Sequence, residues 1–77
     1  MDKKIEEKGK EHQLFGNRVW IGVNATIVGN IKIGNNVLIV PNSYINCDIP
    51  DNSVVFGNPC VIKHDENATD SYIIDVE

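Results

Sequence analysis

Between Phe15 and Ile45 a large apolar residue returns every six positions, as Phe15, Ile21, Ile27, Ile33, Ile39 and Ile45. Few folds accept that interval. At about 100° per residue, six helical steps end about 240° past a full turn, so these side chains would scatter over three sides. The β-branched residues and mid-segment glycines disfavour a helix further. An antiparallel meander needs Asn-Gly or Asp-Gly hairpin turns, and the segment contains neither. A chain that turns a corner every six residues does fit: three hexads close a triangle, and the fourth stacks on the first.

Aligned on Phe15, the hexads read FGNRVW, IGVNAT, IVGNIK, IGNNVL, IVPNSY and INCDIP. Position one is Phe or Ile throughout, and position five is Val, Ala, Ile, Val, Ser and Ile. Position two is Gly in three of six, and position four is Asn or Asp in five of six, with Arg18 the exception. Position one is expected to point inward and stack about 4.8 Å from its counterpart in the next coil. Position five faces inward near a corner, where only moderate volume fits. Asn and Asp tolerate the left-handed backbone angles of a corner, and Gly relieves crowding there. The sequence thus predicts an all-β parallel solenoid of about two triangular coils, Phe15 to Pro50.

Composition sets the limits around it. Seventy-seven residues make one small domain, and a chain of that size buries only roughly 60% of its unfolded surface. Residues 1–13 form a charged N-terminal segment, frayed or disordered; residues 14–62 hold the repeat and a closing loop. Residues 63–77 form an acidic tail that carries the whole net charge of −4, with "SYIIDV" a candidate docked strand. The absence of a basic patch argues against nucleic acid as a partner. No apolar run approaches the ~18 residues of a membrane span, and "MDKKIEEKGKEH" lacks the core of a signal peptide, so a cytoplasmic location is expected. Cys47 and Cys60 show no metal-binding spacing and read as free thiols; no metal is expected.

The segment "NRVWIGVNATIVGNIKIGNNVLIVPNSYINCDIPDNSVVFGNPCVIK" resembles the C-terminal coils and closing loop of hexapeptide-repeat acyltransferases. It is most similar to serine O-acetyltransferases, through "VWIG", "VPNS", "DIPDNSVV" and "GNP". The resemblance implies a left-handed parallel β-helix, a homotrimer, and acetyl-CoA as co-substrate in a groove between subunits. It also implies acetyl transfer to L-serine, the step that forms O-acetylserine in cysteine biosynthesis. Carried onto this chain, it places the cofactor's arm against Gly22, Val23, Val40 and Pro41, and a cofactor phosphate near Lys63. Pro41 has no N–H to donate, so its contact would be through its carbonyl or by packing. Trp20, at an outward position, reads as subunit interface before ligand contact.

Family members use a histidine as general base on the acceptor hydroxyl. The chain has only His12 and His64. His12, in "GKEHQLFG", is loosely similar to a substrate-side histidine segment of the family, with Glu11 where arginine is usual and Gln13 where proline is. His64, between Lys63 and Asp65, reads as surface. No coil before Phe15 resembles the one that holds the main catalytic histidine. The expectation is a form equivalent to the C-terminal part of the enzyme, impaired or inactive alone. Two alternatives stay open: a sugar O-acetyltransferase, since galactoside and maltose acetyltransferases share "VWIG" and the Gly-x-Pro-Cys turn, and a non-catalytic trimerising module.

Overall fold

A computed structural model describes residues 12–71, which form eight short strands and no helix. Among them no helix is therefore long and apolar enough to cross a membrane. The expected charged segment up to residue 11, and "SYIIDV" beyond Ser71, lie outside the described residues. The strands are β1 (Gln13–Phe15), β2 (Val19–Ile21), β3 (Thr26–Ile27), β4 (Ile31–Ile33), β5 (Val37–Ile39), β6 (Tyr44–Ile45), β7 (Ser53–Phe56) and β8 (Val61–His64). They stack into three parallel sheets, β1-β4, β2-β5-β7 and β3-β6, with β8 added antiparallel to β7. Short parallel strands in repeating units, one sheet per side, are the arrangement expected of a hexapeptide β-helix.

The register explains the six-residue interval. Phe15 lies beside Ile33, Ile21 beside Ile39 and Ile27 beside Ile45, so position one forms a column on each side. Ile33, Ile39 and Ile45 are at most 1% exposed and make one apolar layer. Beneath them Phe15 and Ile21 are each 45% exposed, because no described coil packs under the first. Gln13 partly closes that end: its side-chain amide donates to the carbonyls of Ile27 (3.1 Å) and Gly29 (3.3 Å).

The stack also runs past Pro50. Ile49 bridges Ile33 and Val55 lies beside Ile39, so each spacing is 16 residues where the earlier one is 18. The sixth hexad has lost two residues at its corner, and Ile49 is a position-one residue, not the position-five residue expected. From Ile49 the six-residue phase resumes as IPDNSV and VFGNPC.

Corners follow the residue chemistry. Arg18, Asn24, Asn36, Asn42 and Asn52 hold left-handed angles, φ between 58° and 66°. Asn30 and Asp48 do not: at their corner Gly29 takes the positive φ. Their side chains instead accept backbone N–H groups, from His12 to Asn30 (2.7 Å) and from Lys32 to Asp48 (2.9 Å). At the corner between the first and second sides, Asn35 accepts from the Asn17 N–H and Asp51 from the Asn35 N–H, both at 2.7 Å. A side chain at Gly16 or Gly34 would collide with those carboxamide and carboxylate groups. Here glycine serves close approach between coils rather than only a bend.

The chain beyond β8 docks on the same corner. The Asp65 N–H donates to the Asn52 carbonyl (2.8 Å), and Ala68 and Thr69 are buried. Asn36 ties the two together: its amide donates to the Asn52 side chain (2.8 Å) and the Glu66 carbonyl (2.9 Å), while Thr69 Oγ1 donates to it (2.6 Å). Asn36→Ala should therefore cost about 2–4 kcal/mol, from a strained left-handed angle plus an unpaired buried hydroxyl. Asn36→Gly, which keeps the angle at no steric cost, should cost about 1 kcal/mol less. Urea denaturation measures both; equal losses would show that the left-handed angle contributes nothing.

Candidate functional site

The second side of the prism, β2-β5-β7, runs into one corner where the chain leaves each strand. Gly22-Val23-Asn24 follows β2, Val40-Pro41-Asn42 follows β5, and Gly57, with φ 94°, follows β7. Backbone bonds lock these turns together. Gly22 N–H donates to the Ile39 carbonyl (2.7 Å), Asn42 N–H to that of Val23 (3.0 Å), Val40 N–H to that of Val55 (2.9 Å), and Tyr44 N–H to that of Gly57 (3.0 Å). Gly22 is buried directly beneath Pro41, and any side chain there would strike the proline nitrogen and ring.

Gly22, Val23, Val40 and Pro41 are thus brought to one surface, a ledge of stacked turns. Val23 is 71% exposed, and among the described residues its N–H meets no acceptor, although its carbonyl is used. Such a group is a ready donor to an amide or carbonyl oxygen lying along the ledge. Pro41, also exposed, offers only a packing surface and a carbonyl. Val23, Val40 and Pro41 present apolar side chains beside the corner asparagines Asn24 and Asn42, so the ledge suits an extended ligand arm with few, spaced polar groups.

The remaining candidate residues lie elsewhere. Lys63, on β8, faces Val54 across the antiparallel pair and so shares the outer face of the second side. That face carries Trp20, Leu38 and Val54 in register. Trp20 is half-buried rather than exposed, and Leu38 above it is buried. His12 is exposed and sits at the Asn30 corner, between the third and first sides, so the fold does not join it to the ledge. His64 ends β8, 3.9 Å from the exposed carboxylate of Glu66. Among the described residues neither histidine has a buried carboxylate beside it. Among the described residues no three His, Cys, Asp or Glu side chains gather as a metal site.

One grouping is invisible in the sequence. Cys47 and Cys60 are free thiols, and burial, then the neighbouring Cys47, pushes the Cys60 thiol above its ordinary value. Their spacing in the chain matches no motif.

Known proteins share this architecture. A family model described as bacterial transferase hexapeptide (six repeats) matches residues 15–47. A galactoside O-acetyltransferase of Lactococcus lactis is 40% identical over 52 residues, covering 68% of this chain and 25% of the relative. The crystal structure of a hexapeptide-repeat acetyltransferase from Vibrio cholerae, complexed with acetyl coenzyme A, superposes with a TM-score of 0.65 at 32% identity, covering 69% of this chain and 29% of that one. The serine acetyltransferase of Neisseria gonorrhoeae superposes with a TM-score of 0.70 at 31% identity, covering 99% of this chain and 30% of that one. The chain therefore spans between a quarter and a third of the length of these proteins. Repeat, register and these likenesses agree: the chain is a member of the hexapeptide-repeat acyltransferase superfamily.

Proposed function

We propose that this chain forms the acetyl-CoA-binding wall of an O-acetyltransferase of the serine acetyltransferase type. The observation that carries the reading is the ledge at Gly22, Val23, Val40 and Pro41, with its exposed, unengaged Val23 N–H. The pantetheine arm of CoA is a thin chain with two amides. A lone N–H set between apolar turns suits one of those carbonyls. Lys63 is the candidate partner for a CoA phosphate. Acetyl-CoA would supply the acetyl group: a base takes the acceptor hydroxyl's proton as its oxygen attacks the thioester carbonyl, the C–S bond breaks, and CoA leaves as the thiol with that proton returned to it.

The proton step asks more of the protein than the ledge provides. His12 is the candidate base on this chain, yet it lies at another corner, and among the described residues no buried carboxylate orients its ring. In this reading a neighbouring subunit of a homotrimer, or a coil outside residues 12–71, completes the acceptor side. L-Serine is the preferred acceptor, because the likeness to the Neisseria serine acetyltransferase extends over 99% of the chain. The 40% identity to the Lactococcus galactoside enzyme supports a sugar acceptor as the second reading. A non-catalytic trimerising module is the third, supported by the absence of a buried acid–base pair among the described residues.

Three measurements separate these. Calorimetry with CoA should show binding, and Val23→Pro should weaken it about 3–10-fold, the worth of one hydrogen bond. The substitution fits the turn, since Pro41 already occupies the same place one coil higher. No heat at millimolar CoA would leave only the structural reading. Thioester consumption assayed with L-serine, a galactoside and maltose should favour serine; a faster sugar reaction would select the second reading, and activity that survives His12→Ala would remove His12 as the base. Light scattering should give a trimer, and a well-folded monomer would contradict the shared groove.

A further inference from the structure

We propose that the segment Tyr72–Ile74, which follows the docked turn, pairs with the open edge of β2 as a parallel strand and covers Phe15 and Ile21. Those two side chains are each 45% exposed, and β2 is the last described strand at its end of the order β2-β5-β7-β8. The edge is built to take another strand. The Arg18 carbonyl accepts from the Val37 N–H (3.1 Å) and the Gly22 N–H donates to the Ile39 carbonyl (2.7 Å), so residues 18 and 22 bond toward β5. Successive peptide groups of a strand point to opposite sides. The N–H and C=O groups of Val19 and Ile21 therefore point away from β5, to the open edge.

The docked turn leads the chain to that edge. β8 ends with His64 opposite Ser53, at the corner between the first and second sides. From there the contacts step down the corner coil by coil. The Asp65 N–H donates to the Asn52 carbonyl (2.8 Å), Glu66 and Thr69 bond Asn36 (2.9 and 2.6 Å), and Asp70 lies 3.9 Å from Arg18. Asn52, Asn36 and Arg18 hold the same left-handed corner in the third, second and first coils. One further step sets Ser71 beneath Arg18.

The sequence selects the register. Each strand of the second side follows its corner residue directly, as Arg18-Val19-Trp20-Ile21, Asn36-Val37-Leu38-Ile39 and Asn52-Ser53-Val54-Val55. Ser71-Tyr72-Ile73-Ile74 repeats that order, a polar residue followed by three that end on a β-branched apolar side chain. Tyr72 then lies under Val19, Ile73 under Trp20 and Ile74 under Ile21. Ile74 extends the inward column Ile21–Ile39–Val55, Tyr72 closes over Phe15 beside it, and Ile73 extends the outer column Trp20–Leu38–Val54. A strand apolar on both faces fits this side of the prism. Beneath β1 the same residues would meet an outer face that carries the charged Lys32.

The cap is independent of the acyltransferase reading, and so is its test. Nuclear Overhauser contacts and amide exchange are measured on the full chain. Contacts are expected between Ile74 and Ile21 and between the Tyr72 ring and Phe15, and the Val19 and Ile21 amides should exchange slowly. Ile74→Asp should speed their exchange about ten-fold or more, the worth of burying part of an isoleucine side chain, and lower the urea midpoint. Glu77→Gln, beyond the strand, should change neither. Val19 and Ile21 amides that exchange freely, or protection that Ile74→Asp leaves intact, would overturn the proposal. So would contacts found only between chains in a mixture of labelled and unlabelled protein, which would assign the edge to a second copy. The contacts in the unaltered chain decide the matter even if Ile74→Asp folds poorly.

Discussion

Everything in this molecule depends on one coil lying flat on the next. A strand of two or three residues is far too short to persist alone. Here each strand is held by a neighbour in the stack, β5 by one on either side, and the column Phe15–Ile33–Ile49 fills the space between. The same contact dictates small residues where turns touch, as at Gly22 beneath Pro41. It also sets the weak point. The middle layer, Ile33, Ile39 and Ile45, is sealed on both faces, whereas Phe15 and Ile21 are covered from one side by the described residues. Stability in such a stack is a sum of interfaces between neighbours, so the ends of the stack are where another chain or another coil has most to add.

Much of this was legible in the sequence, for a physical reason. A hexad repeat is a direct imprint of triangular geometry: inward columns demand large apolar residues, and corners demand residues that accept left-handed angles. The strands, the inward isoleucines and the asparagine corners could all be read from spacing. What escaped was the phase change. Two residues are missing between Ile45 and Ile49, so a fixed six-residue count put Ile49 in the wrong column and hid the IPDNSV and VFGNPC hexads. Periodicity survives a slip; register does not. The signal that could have revealed it was present, since Asn52 and Ser53 repeat the corner pattern of Asn42 and Ser43.

The candidate site was legible only in part. Resemblance pointed to Gly22, Val23, Val40 and Pro41, and the fold does gather them at one corner. It separates them from His12, which a linear motif could not reveal, because sides of a triangle are not adjacent in the chain. The docked turn at Asn36 and Thr69 comes from contacts that span many residues and carry no periodic trace. An acidic tail by composition begins, in the structure, as a fourth strand and a buried turn.

The functional account divides the labour of acyl transfer between surfaces. In the proposed reading, stacked backbone turns hold an extended thioester carrier, and the acid–base chemistry comes from outside the described residues. Chemical-shift mapping of backbone amides during a CoA titration tests that division most directly. The account predicts shifts concentrated at Gly22, Val23, Val40 and Gly57, with the Gly16–Asn35–Asp51 corner undisturbed. Shifts centred on that other corner, or no shifts at saturating cofactor, would contradict it.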